Sequence, residues 1–156
     1  MEDQNASSAF KIIKTIHWAL VAGISLFASV VAFLLGTNTE TTFIRSEEVI
    51  VFMPVFLAIF MLPTAVMLSN RQMNVLKEKS DLGQKIAGFQ TAHIVKMAML
   101  EGVGLFAIVV CFITYTTINF FVFGLVIILM AGSAPTAFKL SEKLGLSRDE
   151  LETLGG

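Results

Sequence analysis

The sequence predicts an all-α integral membrane protein, a bundle of four transmembrane helices in up-down-up-down order. Three observations lead to this fold class. Hydrophobic residues make up 55% of the 156 residues and charged residues only 15%, whereas soluble domains carry about 25% charged residues. Four separate windows are apolar over about 20 residues, the length that crosses a hydrocarbon core. Basic residues are concentrated in segments that would lie on one side of the membrane.

The four windows define the predicted spans of a single domain that covers residues 1–156. A strand interpretation does not compete, because the apolar runs are longer than strands and do not alternate with polar residues. The chain opens with Glu2 and Asp3, and its first apolar run is too long for a secretion signal, so we expect that run to be a retained span. The predicted spans are 17–36, 49–68, 97–116 and 118–138.

Lysine and arginine predict the orientation of these spans. With four spans, the N-terminus, the link between spans two and three, and the tail share one side of the membrane. Of the eleven basic residues, all but Arg45 lie on that side. Because basic residues are enriched in short cytoplasmic segments, we expect both termini to be cytoplasmic and the 37–48 link to lie outside.

The link between spans two and three is predicted to be a helical hairpin that projects into the cytoplasm. Asp81 and Gln84 have the spacing of a capping box, and Leu82, Ile86 and Phe89 follow at helical spacing. We therefore expect helix two to continue to about residue 79 and helix three to begin near residue 82.

The tail is predicted to leave the membrane and to end in a short amphipathic helix. Pro135 lies near the cytoplasmic end of span four, where a helix can turn away. Ser147 and Glu150 have capping-box spacing, and the helix that they would open carries Leu151 and Leu154.

Glu101 is the one charged residue inside a predicted span. It lies about four residues into span three, roughly 6 Å below the boundary at 1.5 Å per residue. Gly104, Ala107 and Cys111 follow as a stripe of small residues, which is typical of the packed face of a membrane helix. We therefore expect Glu101 to point into the bundle. It would act as a polar clamp between helices or, alternatively, as a proton or cation site.

His17 is the predicted hydrogen-bond partner of Glu101, and Ser25 is the next candidate. A carboxyl group in hydrocarbon must find a partner or lose its charge. Span one enters from the same side as Glu101, and His17 lies near the depth that Glu101 can reach. The candidate intramembrane polar site therefore comprises Glu101, His17 and Ser25.

Small residues also form stripes on spans one and four, where we expect close helix contacts. Ala22, Ser25 and Ser29 lie on span one, and Gly124 and Ala131 lie on span four.

Catalytic signatures are missing from the sequence. There is no P-loop, G-x-S-x-G, H-E-x-x-H or paired C-x-x-C motif, so we expect no enzymatic activity and no cofactor. His17 and Glu101 lack a third ligand at suitable spacing, so no metal is expected. The single cysteine, Cys111, excludes an internal disulfide. The net charge of −1 and the lack of a basic patch outside the loops predict no nucleic-acid partner.

Three stretches together resemble an uncharacterised family of small four-span bacterial membrane proteins. They are residues 14–20 (KTIHWAL), residues 99–106 (MLEGVGLF), and Pro135 followed by residues 144–147 (LGLS). The likeness covers most of the chain. It implies a four-span fold in a bacterial inner (cytoplasmic) membrane and no particular activity.

A weaker similarity links the Glu101-Gly102-Val103-Gly104 segment to the proteolipid c subunits of rotary ATPases. The glycine-repeat helix that lets c subunits pack into rings is absent from spans one and two, and Glu101 lies near the boundary. This resemblance is therefore disfavoured.

Together these patterns predict a non-enzymatic membrane protein. It would be either an accessory subunit of a larger membrane complex or a small homo-oligomer, so its partners would be the lipid bilayer and another protein or a second copy. The alternative is a proton- or ion-linked transport element centred on Glu101.

Overall fold

The computed structural model describes residues 2–45, 47–79 and 81–146, and these residues form an all-helical protein. Thr42 and Thr116 form an isolated parallel bridge, and no strand is present in the described ranges. The predicted all-α class is confirmed for this part of the chain. The elements are α1 (Glu2–Gly36), a 3₁₀ helix (Val49–Phe52), α2 (Met53–Lys77), α3 (Leu82–Thr114), α4 (Phe120–Gly132) and α5 (Ala137–Leu144).

Three helical segments are long and apolar enough to cross a membrane: Ser7–Gly36, Val49–Lys77 and Leu82–Thr114. They contain the first predicted span, the second, and most of the third. A fourth candidate exists only if α4 and α5 together make one broken span, because the two helices are bent by 81°. The described chain therefore has three or four candidate spans.

The fourth predicted span, 118–138, differs from the observed helix. α4 begins at Phe120 and ends at Gly132, well before residue 138. Pro135 disfavours helical backbone at the residue before it, and Thr136 is extended, with φ −120° and ψ 152°. The turn predicted near Pro135 is present, but the chain stops being helical earlier than the apolar run suggests.

α3 ends at Thr114 for a different reason. Tyr115 has a φ of 52°, in the left-handed region that disfavours residues other than glycine. The Thr116 amide donates to the Cys111 carbonyl at 3.1 Å, so a carbonyl of the last turn is satisfied although the helix has ended. The helix therefore ends two residues before the predicted end of the third span, 97–116.

The described residues belong to two compact units. The first unit draws on 1–19, 65–97 and 134–156, and the second on 20–64 and 98–133. α1, α2 and α3 each contribute residues to both units.

The core of the first unit is a hydrophobic cluster to which four helices contribute. α5 is amphipathic and places Leu140 and Leu144 in this cluster, while Phe138 is 75% exposed. Sequence patterns did not predict α5. The amphipathic helix predicted after Ser147 lies outside the described residues. The buried members of the cluster are Phe10, Ile13, Met73, Ile86, Phe89, Ala92, Leu140 and Leu144.

The hairpin between α2 and α3 follows the predicted boundaries closely. α2 ends at Lys77 and α3 begins at Leu82. The Gln84 amide donates to the Asp81 carboxylate at 2.8 Å, so one half of the predicted capping box is formed. This bond satisfies an amide in the first turn of α3 that has no partner within the helix.

The second unit is closed at one end by contacts between two links. The Thr42 amide donates to the Tyr115 carbonyl at 2.9 Å, and the Thr117 amide donates to the Thr42 carbonyl at 3.1 Å. The fully buried Asn119 side chain donates from Nδ2 to the Val51 carbonyl at 2.9 Å. These bonds join the backbone of the two links to each other and connect Asn119 to the 3₁₀ helix.

The predicted small-residue stripe on α3 lies on a packed face of the second unit. Ala107 and Cys111 are fully buried. A Cβ atom on Gly104 would lie 2.7 Å from Ile24 Cδ1 and 3.1 Å from Val126 Cγ1, whereas a Cβ atom on Gly102 would meet no atom within 4 Å. Gly104 therefore lies at a close packing contact, and Gly102 does not.

We expect Gly104→Val to destabilise the protein and Gly102→Val to leave its stability unchanged or slightly raised. Overpacking a well-packed site costs about 1–3 kcal/mol, while an open helical glycine gains from a side chain that limits backbone freedom. Unfolding of the purified variants in mixed micelles measures the difference. Equal effects of the two substitutions would contradict the assigned packed face.

Candidate functional site

The three residues of the predicted polar site have different surroundings. Glu101 lies on α3 and is partly buried. Its carboxylate has no hydrogen bond or ion pair within the described ranges. The Ser25 hydroxyl donates to the Val21 carbonyl of its own helix at 2.7 Å. The site of Glu101, His17 and Ser25 stays a prediction.

His17 pairs with the only other histidine in the chain. Its Nδ1 atom lies 3.2 Å from Nε2 of His93, and the ring centroids are 5.2 Å apart. The His17 side chain is fully buried and that of His93 is 5% exposed. Both residues belong to the first unit, His17 on α1 and His93 on α3.

Aromatic rings enclose the histidine pair. Phe89 stacks on His93 from one turn earlier on α3, with centroids 5.6 Å apart and an interplanar angle of 16°. Trp18 meets His17 edge-on at 5.2 Å and 83°. The polar pair therefore lies among flat apolar surfaces, so a broken hydrogen bond has little access to water as a substitute.

The hydrogen bond restricts the protons on the pair. An N–H···N bond needs one ring nitrogen with a proton and one without. The requirement can be met when each ring carries one N–H hydrogen, which is the neutral pair. It can also be met when the two rings carry three N–H hydrogens in total, which is the singly protonated pair. A pair with all four nitrogens protonated has two facing donors and no acceptor. The 3.2 Å contact therefore fits the neutral or singly protonated pair.

The second ring nitrogen of His17 is also buried. Nε2 has no hydrogen-bond partner among the described residues. Whichever tautomer His17 adopts, this atom is either a donor without an acceptor or an acceptor without a donor. Such a group costs free energy when it is removed from water.

Three lysines of the first unit act electrostatically on the pair. Lys139 and Lys96 act electrostatically on His17, and Lys96 and Lys143 act on His93. Lys96 lies on α3, and the other two lysines lie one turn apart on α5. Two elements thus bring positive charge to the same region of the first unit.

Metal ligands are too few at this pair for a typical zinc site. Such sites use three or four protein ligands, and no group of three His, Cys, Asp or Glu side chains converges in the described part of the chain. Hydrogen bonding between the rings is the chemistry that the described contacts support.

Sequence reasoning predicted His17 as a site residue but missed its partner. The usable signal was that both histidines lie near the cytoplasmic ends of predicted spans that enter from the same side. The charge of Glu101 drew attention instead, because a carboxylate in hydrocarbon needs a partner more than a neutral imidazole does.

A second feature is an open groove in the second unit between α1 and α4. Its volume is about 310 Å³. Small side chains form most of the α1 side, and Gly124 lies on the α4 side, so the groove includes members of both predicted small-residue stripes. The lining residues are Ser25, Ala28, Ser29, Ala32, Phe120, Phe123, Gly124 and Ile127.

Comparisons of the chain with protein families, with curated proteins and with solved structures find no match.

We expect His17 and His93 to be energetically coupled. Replacing one histidine by leucine leaves the other buried without its partner, which costs about 1–3 kcal/mol. The His17→Leu/His93→Leu double variant removes both polar groups, so its loss of stability should be smaller than the sum of the two single losses. Unfolding of the four proteins in detergent gives this double-mutant cycle. Additive losses would show that the hydrogen bond contributes no coupling.

Proposed function

We propose that the chain is a non-enzymatic membrane protein that functions by assembly, either as an accessory subunit of a membrane complex or as a small homo-oligomer. The observation that carries this proposal is the small-residue groove between α1 and α4. A partner helix of a second copy or of another protein would occupy it.

The groove suits a helix because of how helices associate in lipid. The hydrophobic effect does not drive association there, so close van der Waals packing must do so. Ser25, Ser29 and Ala32 are short side chains that let a partner backbone approach α1. Ser29 and Ala32 are exposed in the single chain.

The hydroxyl groups of the groove do not hinder an apolar partner. Ser25 donates to the Val21 carbonyl and Ser29 donates to the Ser25 carbonyl at 2.8 Å. Because these donors are already used within α1, a partner helix needs no polar group to match them.

Transport centred on Glu101 has less support. The Glu101 carboxylate has no hydrogen bond or ion pair among the described residues. A group that carries protons is unpaired between one partner and the next, so this observation is compatible with transport. However, no other Asp, Glu, Lys or Arg lies in the predicted spans, so a relay would have to pass through an uncharged group such as His17. A pH-dependent flux in liposomes that Glu101→Gln abolishes would favour transport, and the absence of any flux would exclude it.

The assembly proposal predicts that bulk inside the groove separates the subunits. We expect Ala32→Leu to convert the wild-type assembly to a smaller particle in gentle detergent, because the larger side chain keeps the partner backbone away. Ala98→Leu is the matched control, since Ala98 is also exposed but does not line the groove. Mass photometry of the extracted protein measures particle size, and protein identification shows whether the neighbour is a second copy. A strictly monomeric wild-type particle with no co-purifying protein would refute assembly.

We also propose a multi-pass position in a bacterial inner membrane with cytoplasmic termini. The support is the distribution of lysine and arginine, of which only Arg45 lies on the opposite side. The hairpin between α2 and α3 would then be cytoplasmic.

This orientation predicts opposite accessibility for two exposed positions. In a background in which the buried Cys111 is replaced by alanine, Thr39→Cys should react with an impermeant thiol reagent on intact spheroplasts. Glu78→Cys should react only after lysis, and it keeps all the lysines that set the orientation. The reverse pattern would invert the proposed topology.

A further inference from the structure

The two histidines of the chain, His17 and His93, are both in the buried pair. Histidine is the side chain that ordinarily changes its charge between about pH 5 and 8. The ordinary pKa values of the other titratable side chains lie outside this range. Side-chain protonation near neutral pH is therefore concentrated at one contact between α1 and α3 in the first unit.

The geometry of the contact admits one additional proton. When His93 is protonated, its Nε2 atom can donate to Nδ1 of His17, and the hydrogen bond is kept. A second proton would have to enter at Nδ1 of His17. Two N–H groups would then face each other at the 3.2 Å contact. The other nitrogen of His17 offers no relief, because Nε2 is buried without an acceptor among the described residues.

The surroundings leave the rings little freedom to avoid this repulsion. His17 is fully buried, and Trp18 meets its ring edge-on with centroids 5.2 Å apart. Phe89 stacks on His93 with centroids 5.6 Å apart. A doubly protonated pair therefore needs water that the closed arrangement does not provide. The contact between α1 and α3 must open to supply it.

The charges that act on the pair do not favour a second proton. They are Lys96 on α3 and Lys139 and Lys143 on α5. No acidic side chain, and no residue of α1 or α2, is among the charged groups that act on the two rings in the described ranges. The contact distance between the rings sets the limit of one additional proton, and no negative partner offsets it.

The pair adjoins the hydrophobic cluster of the first unit. Ile13 lies one turn before His17 on α1, and Phe89 lies one turn before His93 on α3, and both are buried members of this cluster. The two buried leucines of α5 belong to the same cluster. Separation of α1 from α3 at the pair would therefore loosen the cluster that holds the first unit together.

We propose that the pair of His17 and His93 is a pH-sensitive switch in the first unit. The contact between α1 and α3 is closed while the pair holds at most one additional proton, and it opens when both rings are protonated. The switch does not involve the groove between α1 and α4, so the proposal stands whether or not the chain assembles.

Proton uptake sets the direction and size of the response. In the open form both rings take up protons near the ordinary histidine pKa of about 6.5, whereas the closed pair takes at most one. The closed form is therefore favoured above this pH and loses stability as the pH falls through it. From about pH 7.5 to about pH 5.5, the equilibrium constant for opening should rise about tenfold if the closed pair takes one proton with ordinary affinity. The rise should be about 100-fold if the closed pair takes none.

Hydrogen exchange of the full chain in neutral detergent measures this opening. Exchange times at the two pH values are scaled for the intrinsic pH dependence of amide exchange. We expect protection of the amides around His17 and His93 to fall about 10- to 100-fold at the lower pH. Protection in α4, which belongs to the second unit, should not change.

Three variants assign the response to the pair. His17→Leu/His93→Leu has no titrating ring and should show no pH dependence, even if its protection is lower at both pH values. His17→Gln keeps a hydrogen-bonding partner, because the amide can donate to neutral His93 or accept from protonated His93. It should therefore also lose the response. Glu101→Gln is the matched control, since it removes the carboxylate within the predicted spans and should keep the response.

Three results would overturn the proposal. The first is unchanged protection around the pair in the wild-type protein at the two pH values. The second is an equal fall in protection in α4, which would mean that acid destabilises the whole chain. The third is a response of wild-type size in both His17→Gln and His17→Leu/His93→Leu, which would place the titrating group elsewhere.

Discussion

A hydrocarbon core offers no hydrogen-bonding partner to a peptide group, so backbone groups that enter it must be satisfied within the chain. Long helices meet this requirement, and the described elements follow from it. Where a helix ends or is interrupted, another group of the chain forms the hydrogen bonds that the helix would have formed. Thr116 closes the end of α3 through its amide, and the Asn119 side chain donates to the Val51 carbonyl within the 3₁₀ helix. The Thr114 and Thr116 hydroxyls, both buried, bond to each other at 2.9 Å.

A lipid environment also allows the apolar helices to be buried within the protein to different extents. Half of the most apolar window of α3 is buried within the protein, against 22% for the windows in α1 and in the segment that contains α2. In water such exposure would be prohibitive, but lipid tails cover an apolar side chain as well as protein does. Contact between helices in lipid therefore depends on small residues that fit closely, as at Gly104, and not on overall hydrophobicity.

Polar groups placed among apolar surfaces give the molecule its specific features. The histidine pair is buried between Phe89 and Trp18 and uses one hydrogen bond to join α1 to α3. Lysines of α3 and α5 act on it electrostatically. The groove between α1 and α4 is the contrasting case, because its hydroxyls are satisfied internally and it presents a mainly apolar surface.

The sequence by itself determined the apolar, lipid-compatible character of the helices, the helical class and the ends of the hairpin. Length and hydropathy decide these locally: an apolar run longer than a strand must be a helix in lipid, and Asp81 caps a helix wherever the hairpin lies. Tertiary structure alone decided which polar residues meet. His17 and His93 are 76 residues apart in the sequence. Their contact depends on how α1 and α3 are rotated about their own axes. A membrane helix that is apolar on all sides does not encode this rotation in its hydropathy. It also decided that α4 stops at Gly132 and that α5 docks through Leu140 and Leu144. That short helix is stabilised by burying two leucines in a cluster made by distant segments, so its own residues did not reveal it.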